Sequence, residues 1–107
     1  MECLFCKIAN GKTDTKIVYQ DENFVAFYDI NPKAPFHLLI VPKKHIESLI
    51  NAKSKEDAKI INKALLVAAK IAKKFGVDKG YRLQINQGKK AGQEIDHLHI
   101  HLLGFLK

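Results

Sequence analysis

Glycine, proline and cysteine are scarce in this chain of 107 residues, which contains six Gly, three Pro and two Cys. So few Gly and Pro exclude a collagen-like chain, and the 47% of hydrophobic residues excludes a disordered one. Two cysteines are too few for a disulfide scaffold, so we expect a reduced, cytoplasmic protein. No apolar run approaches the ~20 residues that span a bilayer, and the start, MECLFCKIANGK, has no signal-peptide core, so no membrane partner is expected.

Internal repeats, low-complexity tracts and linkers are also lacking, and the length suits one ordinary domain. We therefore predict a single domain over residues 1–107. Lys and Arg number 18 against 11 for Asp and Glu, which gives a formal net charge of +7. This excess suggests an anionic partner but does not by itself distinguish a nucleic acid, a membrane surface and a small anionic ligand.

Five segments have the pattern of β-strands. Residues 16–19 and 24–28 flank polar turn residues and predict a β-hairpin. The continuous apolar run at residues 37–41 predicts a strand that is buried on both faces. Residues 81–86 alternate as a strand does, and residues 96–103 predict the last strand.

A long amphipathic helix is predicted to begin after Ser54, an N-cap residue that precedes two acidic residues. Gly76 is predicted as the left-handed residue just past its end. The predicted buried face consists of Ile61, Ala64, Leu65, Ala68, Ile71, Ala72 and Phe75. The opposite face carries Lys59, Lys63, Lys70 and Lys74, so much of the charge is solvated surface and no nucleic acid is needed to explain it. A short helix is predicted over residues 45–52, and the whole pattern predicts an α+β fold with an antiparallel sheet of about five strands.

Three of the five histidines stand at alternate positions, 97, 99 and 101, separated by apolar residues. Alternate side chains share one face of a strand, so the pattern predicts three imidazoles in a row above a buried apolar face. Such a row can lie in a polar interface, bind a metal, or perform nucleophilic and acid–base catalysis.

The loop at residues 86–93, which precedes the histidines, contains two glycines, two lysines and amide side chains. Glycine lets backbone N–H groups approach an anion, and amides donate hydrogen bonds to phosphate oxygens. The loop matches neither the Walker A pattern nor the dinucleotide-binding glycine pattern. Next to a histidine row, it favours a phosphoryl or nucleotidyl transfer site over an ordinary flexible hairpin loop.

Cys3 and Cys6 have the spacing of half a zinc site, which on its own is a weak signal. A redox pair is the less favoured interpretation, because no strand is predicted before the motif.

The motif HLHIHLL at residues 97–103 resembles the signature of the histidine triad (HIT) family of nucleotide hydrolases and transferases. The resemblance covers nearly the whole chain and includes residues 5–8, 29–32 and 41–45. Residues 80–86 and 102–104 resemble the Hint-like branch, the purine nucleoside phosphoramidases, whereas the Fhit-like branch usually has Pro where this chain has Gly104. The resemblance implies a HIT-like fold that dimerises into a continuous sheet.

The resemblance also implies roles for individual residues. His99 would attack the α-phosphorus of a nucleoside phosphoramidate and form a nucleotidyl-histidine that water hydrolyses. His101 would contact the phosphate and assist departure of the amine, with His37 behind the triad and His97 as its first member. The implied substrate-binding residues are Asp29 and Ile30 for the ribose, Asn86, the Gly92 amide and the backbone of Gln93 and Glu94 for the phosphate, and Leu4, Phe5, Ile8 and Phe27 for the purine.

For cofactors, the resemblance implies a structural zinc site formed by Cys3, Cys6, His45 and His97, and no catalytic cofactor. The leading hypothesis is hydrolysis of the P–N bond of AMP- or GMP-amine conjugates by a homodimer. Two alternatives are an Fhit-like dinucleotide polyphosphate hydrolase and a nucleotide-binding regulatory or scaffold protein with little turnover. Binding of a nucleic acid, which rests on charge alone, is the weakest hypothesis.

Overall fold

A five-stranded antiparallel sheet lies at the centre of the structure, a computed structural model that describes residues 3–105. Its strands are β1 (Ile17–Gln20), β2 (Phe24–Tyr28), β3 (Phe36–Pro42), β4 (Tyr81–Gln84) and β5 (Ile100–Gly104). Their order across the sheet is β1-β2-β3-β5-β4, and every neighbouring pair is antiparallel. The predicted α+β fold with a five-stranded sheet is thereby confirmed.

Strand β3 is central, and all seven of its residues are buried. Leu38 and Ile40 belong to the core that packs under the long helix. Leu39 and Val41 belong to a second core on the other face, with Phe5 of an N-terminal helix. Because both faces are covered, the strand needs apolar residues at consecutive positions, which is why its sequence does not alternate.

Two α-helices cover the sheet, α1 (Leu4–Ala9) and α2 (Lys55–Lys74). The Ser54 side chain accepts a hydrogen bond from the Asp57 amide at 3.0 Å, and Gly76 has a φ of 76°. Both predicted ends of the long helix are therefore confirmed. Across residues 3–105, neither helix combines the length and the apolar character needed to cross a bilayer.

The buried face of α2 differs from the prediction at several positions, since Val67 is buried although it was not predicted, and Ile61 and Phe75 are only partly buried. Its buried apolar residues are Ala64, Val67, Ala68, Ile71 and Ala72. Leu65 was expected among them but is 42% exposed. Successive residues in a helix are rotated by about 100°, so the face centred on Ala64 and Ala68 turns Leu65 toward solvent.

The short helices also differ from the prediction. The segment 45–52 contains only a single 3-10 turn at Leu49–Asn51, whereas α1 was not predicted at all. A helix of six residues is too short to be stable alone. Its support is tertiary, since Phe5 and Ile8 are each only 5% exposed.

The last strand begins at Ile100, and not at residue 96 as predicted. The His97 amide donates to the Ile95 carbonyl at 2.8 Å, and the Leu98 amide donates to the Ile46 carbonyl at 2.6 Å. These bonds bend the backbone before the strand starts. Of the three histidines, only His101 lies in β5, so the prediction of three imidazoles along one strand was wrong for His97 and His99, although His99 still lines the same cavity as His101.

Gly104 at the end of β5 has no room for a side chain. A Cβ atom there would stand 2.8 Å from Val77 Cγ1 and 3.0 Å from Phe36 Cδ2. We expect Gly104→Ala to lower the free energy of unfolding by about 1–3 kcal/mol through overpacking, as measured by urea denaturation. The cost should be smaller in a Val77→Ala background, and an equal cost in both backgrounds would contradict the steric explanation.

Candidate active site and metal cluster

A cavity of about 570 Å³ opens on the face of the sheet that α2 does not cover. Its volume lies in the range typical of small-molecule sites. The predicted residues that line it are Leu4, Phe5, Ile8, Phe27, Asp29, Ile30, His37, Asn86, Gly92, Glu94, His99 and His101. Of the predicted catalytic and substrate-binding residues, only His97 and Gln93 do not line it.

His99 is held in one orientation by the backbone. Its Nδ1 lies 2.8 Å from the His97 carbonyl oxygen, and the residue is only 7% exposed. A carbonyl oxygen can only accept, so Nδ1 carries a proton and donates it to this bond. The lone pair of the neutral ring is therefore on Nε2, so Nε2 is the ring nitrogen that is chemically able to act as a nucleophile.

His101 receives its orientation from His37. The Lys33 amide donates to His37 Nδ1 at 3.0 Å, so the proton of the neutral His37 ring is on Nε2. That Nε2 lies 2.9 Å from His101 Nδ1 and donates to it, which places the His101 proton on Nε2. His101 Nε2 is buried and has no hydrogen-bond partner among residues 3–105, and its residue lines the cavity. The cavity thus contains a basic His99 Nε2 and a proton-bearing His101 Nε2, with ring centroids 5.1 Å apart.

Acidification is expected to destabilise the protein through His101. Burial, together with the neighbouring His99 and His37, lowers the pKa of His101 from 6.5 to about 4. A histidine whose pKa is lower in the folded than in the unfolded chain makes its full contribution to the free energy of unfolding when the pH is above its unfolded pKa of about 6.5. This contribution is lost as the pH falls from about 6.5 toward 4. The full difference corresponds to roughly 3 kcal/mol, of which we expect about 1–2 kcal/mol for this partly exposed ring.

Urea unfolding between pH 7 and pH 4 measures this effect. Other groups also titrate in this range, so the decisive quantity is the difference between the wild type and His101→Asn. We expect the variant to lose less stability on acidification. An identical pH dependence in both proteins would contradict the assignment to His101.

The loop at residues 86–93 is closed by its own hydrogen bonds. Gln93 is 4% exposed, and its side chain bonds the Glu47 carbonyl at 2.6 Å and the Gly88 amide at 2.9 Å. The Gly92 amide donates to the Lys89 carbonyl at 3.0 Å. The predicted phosphate donation by that amide is therefore not supported, and Gln93 serves to hold the loop against residue 47. Asn86 remains a phosphate donor candidate, because Gln84 donates to its side-chain oxygen at 3.2 Å and thereby orients its amide nitrogen.

His97 turns away from the cavity toward the two cysteines. Its Nε2 lies 2.9 Å from the Pro42 carbonyl oxygen, so the proton is on Nε2 and the lone pair is on Nδ1. That Nδ1 lies 3.2 Å from Cys3 Sγ, 3.5 Å from Cys6 Sγ and 3.1 Å from His45 Nδ1. We call Cys3, Cys6, His45 and His97 the metal cluster; their four ligand atoms all lie within 4.8 Å of one another.

The metal cluster fits a tetrahedral zinc ion. Zinc bonds of about 2.3 Å to sulfur and about 2.0 Å to nitrogen separate tetrahedral ligand atoms by roughly 3.3–3.8 Å. The N–N and S–N distances of 3.1–3.5 Å are close to this range. A second group, Asp29, His37 and His101, fits less well, because its two ring nitrogens already share a hydrogen bond and Asp29 Oδ2 lies 3.5 and 4.0 Å from them.

His45 reaches the metal cluster from the turn that follows β3. The neighbouring Lys44 forms ion pairs of 2.8 Å with both Glu56 and Asp57 at the start of α2. Hydrogen bonding to Lys44 lowers the pKa of the Asp57 carboxyl. These contacts attach the turn to the helix N-terminus, and they hold the exposed His45 beside the cysteines.

Comparison with known proteins bears on this arrangement. The profile of the HIT domain matches residues 10–106 of this chain. The chain belongs to the HIT domain family. The protein HitA of Neisseria gonorrhoeae is 46% identical to this HIT domain over 102 residues, which are 95% of this chain and 94% of HitA.

Two solved structures have the same fold as this HIT domain. A histidine triad protein from Clostridium difficile is 46% identical, with a TM-score of 0.92 over 100% of this chain and 93% of its own. A HIT family hydrolase from Legionella pneumophila Philadelphia 1 is 45% identical, with a TM-score of 0.90 over 96% of this chain and 92% of its own.

Two backbone groups of this HIT domain complete the site and were not predicted. They are the Lys33 amide, which sets the tautomer of His37, and the Pro42 carbonyl, which sets that of His97. Main-chain groups carry no residue-specific signal, so no sequence pattern identifies them. The only indication was indirect: Pro32 and Pro35 flank Lys33 and predict an irregular segment there.

Proposed function

We propose that this HIT domain is a nucleotide hydrolase that cleaves the P–N bond of purine nucleoside 5′-phosphoramidates. The observation that carries the proposal is that one cavity contains two neutral imidazoles in opposite tautomeric forms. His99 presents a lone pair on Nε2, and His101 presents a proton on Nε2. A nucleophile and an adjacent donor are what covalent nucleotidyl transfer requires.

The reaction proceeds in two displacements. His99 Nε2 forms a bond to the α-phosphorus while the P–N bond breaks; the substrate nitrogen has taken up a proton from solvent, so it leaves as the neutral amine and a nucleotidyl-histidine results. The water of the second step returns this proton to solvent. His101 Nε2–H donates a hydrogen bond where negative charge develops on the phosphoryl group and the departing nitrogen. Water then attacks phosphorus, the bond to His99 breaks, and the nucleoside monophosphate leaves. In the net reaction, the hydroxyl of one water ends on phosphorus and its proton ends on the amine.

The walls of the cavity suit the rest of such a substrate. Leu4, Phe5, Ile8 and Phe27 form an apolar lining for a flat purine. Asp29, beside them in the lining, is a hydrogen-bond acceptor for ribose hydroxyls. These roles support a nucleoside ligand, and they stay proposals for each residue.

Although Lys33 also lines the cavity, the carboxylate of Glu94 favours an amine as the leaving group. Glu94 is exposed and lines the cavity together with Asp29. A carboxylate repels additional phosphates but attracts a cationic amine. Glu94 therefore supports phosphoramidates as substrates over dinucleotide polyphosphates.

We also propose that the metal cluster binds one structural zinc ion and that no cofactor takes part in catalysis. A four-residue set of two thiolates and two imidazoles is typical of closed structural zinc sites. Such an ion supplies folding free energy by joining segments that are distant in the chain. Here it joins α1 to His45 and His97.

A homodimer also remains part of the proposal. Strand β4 is at one edge of the five strands, and an exposed edge can pair with a second copy. Light scattering after size exclusion measures the oligomeric state directly, and a mass of about 12 kDa would contradict a dimer.

The activity is tested with two substrates side by side, adenosine 5′-phosphoramidate and diadenosine tetraphosphate. We expect AMP release to be faster from the phosphoramidate, and we expect acid-quenched samples to contain AMP attached to the peptide of His99. Faster cleavage of the dinucleotide would favour the Fhit-like alternative. Tight AMP binding with no turnover of either substrate would favour a regulatory or scaffold role.

A further inference from the structure

Helix α1 is shared by the metal cluster and the cavity. Cys3 is its N-cap residue, and Cys6 lies in its first turn, so both cysteines are at one end of the helix. Leu4, Phe5 and Ile8 of the same helix line the cavity. Because the helix has only six residues, its position depends on these contacts and not on its own stability.

Phe5 lies between the metal cluster and the nucleophile. Its ring meets the His97 ring edge to face at 6.0 Å between centroids, and it meets the His99 ring in the same way at 5.0 Å. It also contacts Phe27 of the cavity lining at 5.6 Å. With only 5% of its surface exposed, Phe5 cannot shift without displacing at least one of these rings.

A second connection runs through the backbone of His97. The carbonyl of this residue accepts the Nδ1 proton of His99, while its own ring nitrogen faces the two cysteines. Any change in the position of His97 therefore changes the hydrogen bond that sets the tautomer of the nucleophile. The edge-to-face contacts of Phe5 and the hydrogen bond from His99 to the His97 carbonyl are thus two independent connections between the metal cluster and His99.

We propose that binding of zinc at the metal cluster and binding of a nucleotide in the cavity strengthen each other through α1, with Phe5 as the positioning residue that joins the two sites. This inference rests on the proposed function, because it takes a nucleotide as the ligand of the cavity. A bound zinc ion would fix the position of α1, which forms the part of the cavity wall proposed to pack against the base. By thermodynamic reciprocity, a bound nucleotide must then increase the affinity for zinc by the same factor.

The probes are AMP and Zn²⁺, and the readout is binding, not activity. The zinc affinity of the purified protein is measured by competition with a chromophoric chelator, with and without saturating AMP. We expect AMP to tighten zinc binding by about tenfold, which lies within the usual range for coupled sites. In calorimetry, the dissociation constant of AMP should rise by the same factor when zinc is removed.

Phe5→Leu separates this coupling from general stabilisation. The variant retains all four metal ligands and a buried apolar side chain, but it loses the ring that contacts His97 and His99. We expect the effect of AMP on zinc affinity to fall toward onefold. The matched control is Phe36→Leu, a buried phenylalanine on the α2 face of the same sheet, which should leave the tenfold effect unchanged.

The possible outcomes distinguish this inference from the proposed function. If AMP binds the zinc-loaded and the zinc-free protein equally well, the coupling is wrong and the proposed function stands. If AMP binds neither form, both are wrong. If zinc-free protein unfolds, the rate at which the chelator removes zinc from the folded, loaded protein is compared with and without AMP, and we expect AMP to slow this removal. An equal AMP effect in the wild type and in Phe5→Leu would overturn the role of Phe5 and, with it, the proposal.

Discussion

Replacement of His99 by alanine is expected to lower kcat for adenosine 5′-phosphoramidate by roughly 10³-fold or more, the scale of losing a covalent nucleophile. No other imidazole can replace it. His97 directs its Nδ1 lone pair to the metal cluster, and His101 carries its proton on Nε2, so among the triad histidines of residues 3–105 only His99 directs a lone pair into the cavity. Rapid-quench kinetics and mass spectrometry of the acid-quenched enzyme measure the loss of rate and of the nucleotidyl adduct.

The control for this variant is binding. His99→Ala should still bind AMP, because the apolar lining and Asp29 are unchanged, and its circular dichroism should match that of the wild type. Turnover by the variant at the wild-type rate would show that the nucleophile has been assigned wrongly. A loss of AMP affinity as large as the loss of rate would show instead that His99 also contributes to binding of the nucleotide in the ground state, and not only in the transition state.

Removal of zinc is expected to lower the stability of the protein more than Gly104→Ala or the protonation of His101 does. A zinc ion would join residues 3 and 6 to residues 45 and 97, so its removal would leave α1 attached to the sheet only by the packing of side chains such as Phe5 and Ile8. We expect one zinc per chain by elemental analysis, and chelation should lower the Tm by about 10–20 °C, which corresponds to roughly 3 kcal/mol for a domain of this size. Differential scanning calorimetry with and without chelator measures the shift.

Cys6→Ser is the matched variant for this experiment. It should have a lowered Tm without chelator and should respond little to chelation, because the site is already impaired. Protein purified without chelators that contains no zinc would contradict the structural metal. A Tm that chelation does not change would contradict its contribution to stability.

Local signals explain which elements could be predicted. Ser54 and Gly76 determine the ends of α2 through their own side chain and backbone, and both ends were predicted. The run at β3 was predicted as doubly buried because a strand covered on both faces requires uninterrupted apolar residues. The bounds of these elements depend on neighbours in the chain, which is the information that a sequence pattern contains.

The elements that were predicted wrongly or missed depend on contacts between segments that are distant in the sequence. The segment before β5 bends because the Leu98 amide bonds the Ile46 carbonyl, a partner 52 positions earlier in the chain. Alternation of apolar residues from Leu98 onward could not reveal that bond, so the strand was predicted four residues too long. Similarly, α1 has no helical pattern of its own and exists because Phe5 and Ile8 are buried against the sheet.

The sequence by itself determined the α+β class, the long helix and the histidine motif, since each depends on spacing along one segment. Only the tertiary structure decided which nitrogen of each imidazole carries the proton and which group holds it there. The Lys33 amide and the Pro42 and His97 carbonyls assign the protons of His37, His97 and His99, and these main-chain partners come from different parts of the fold. A neutral imidazole has one proton, and its neighbours determine which nitrogen holds it. His97 therefore directs a lone pair to the metal cluster, His99 directs a lone pair to the cavity, and His101 directs a proton to the cavity.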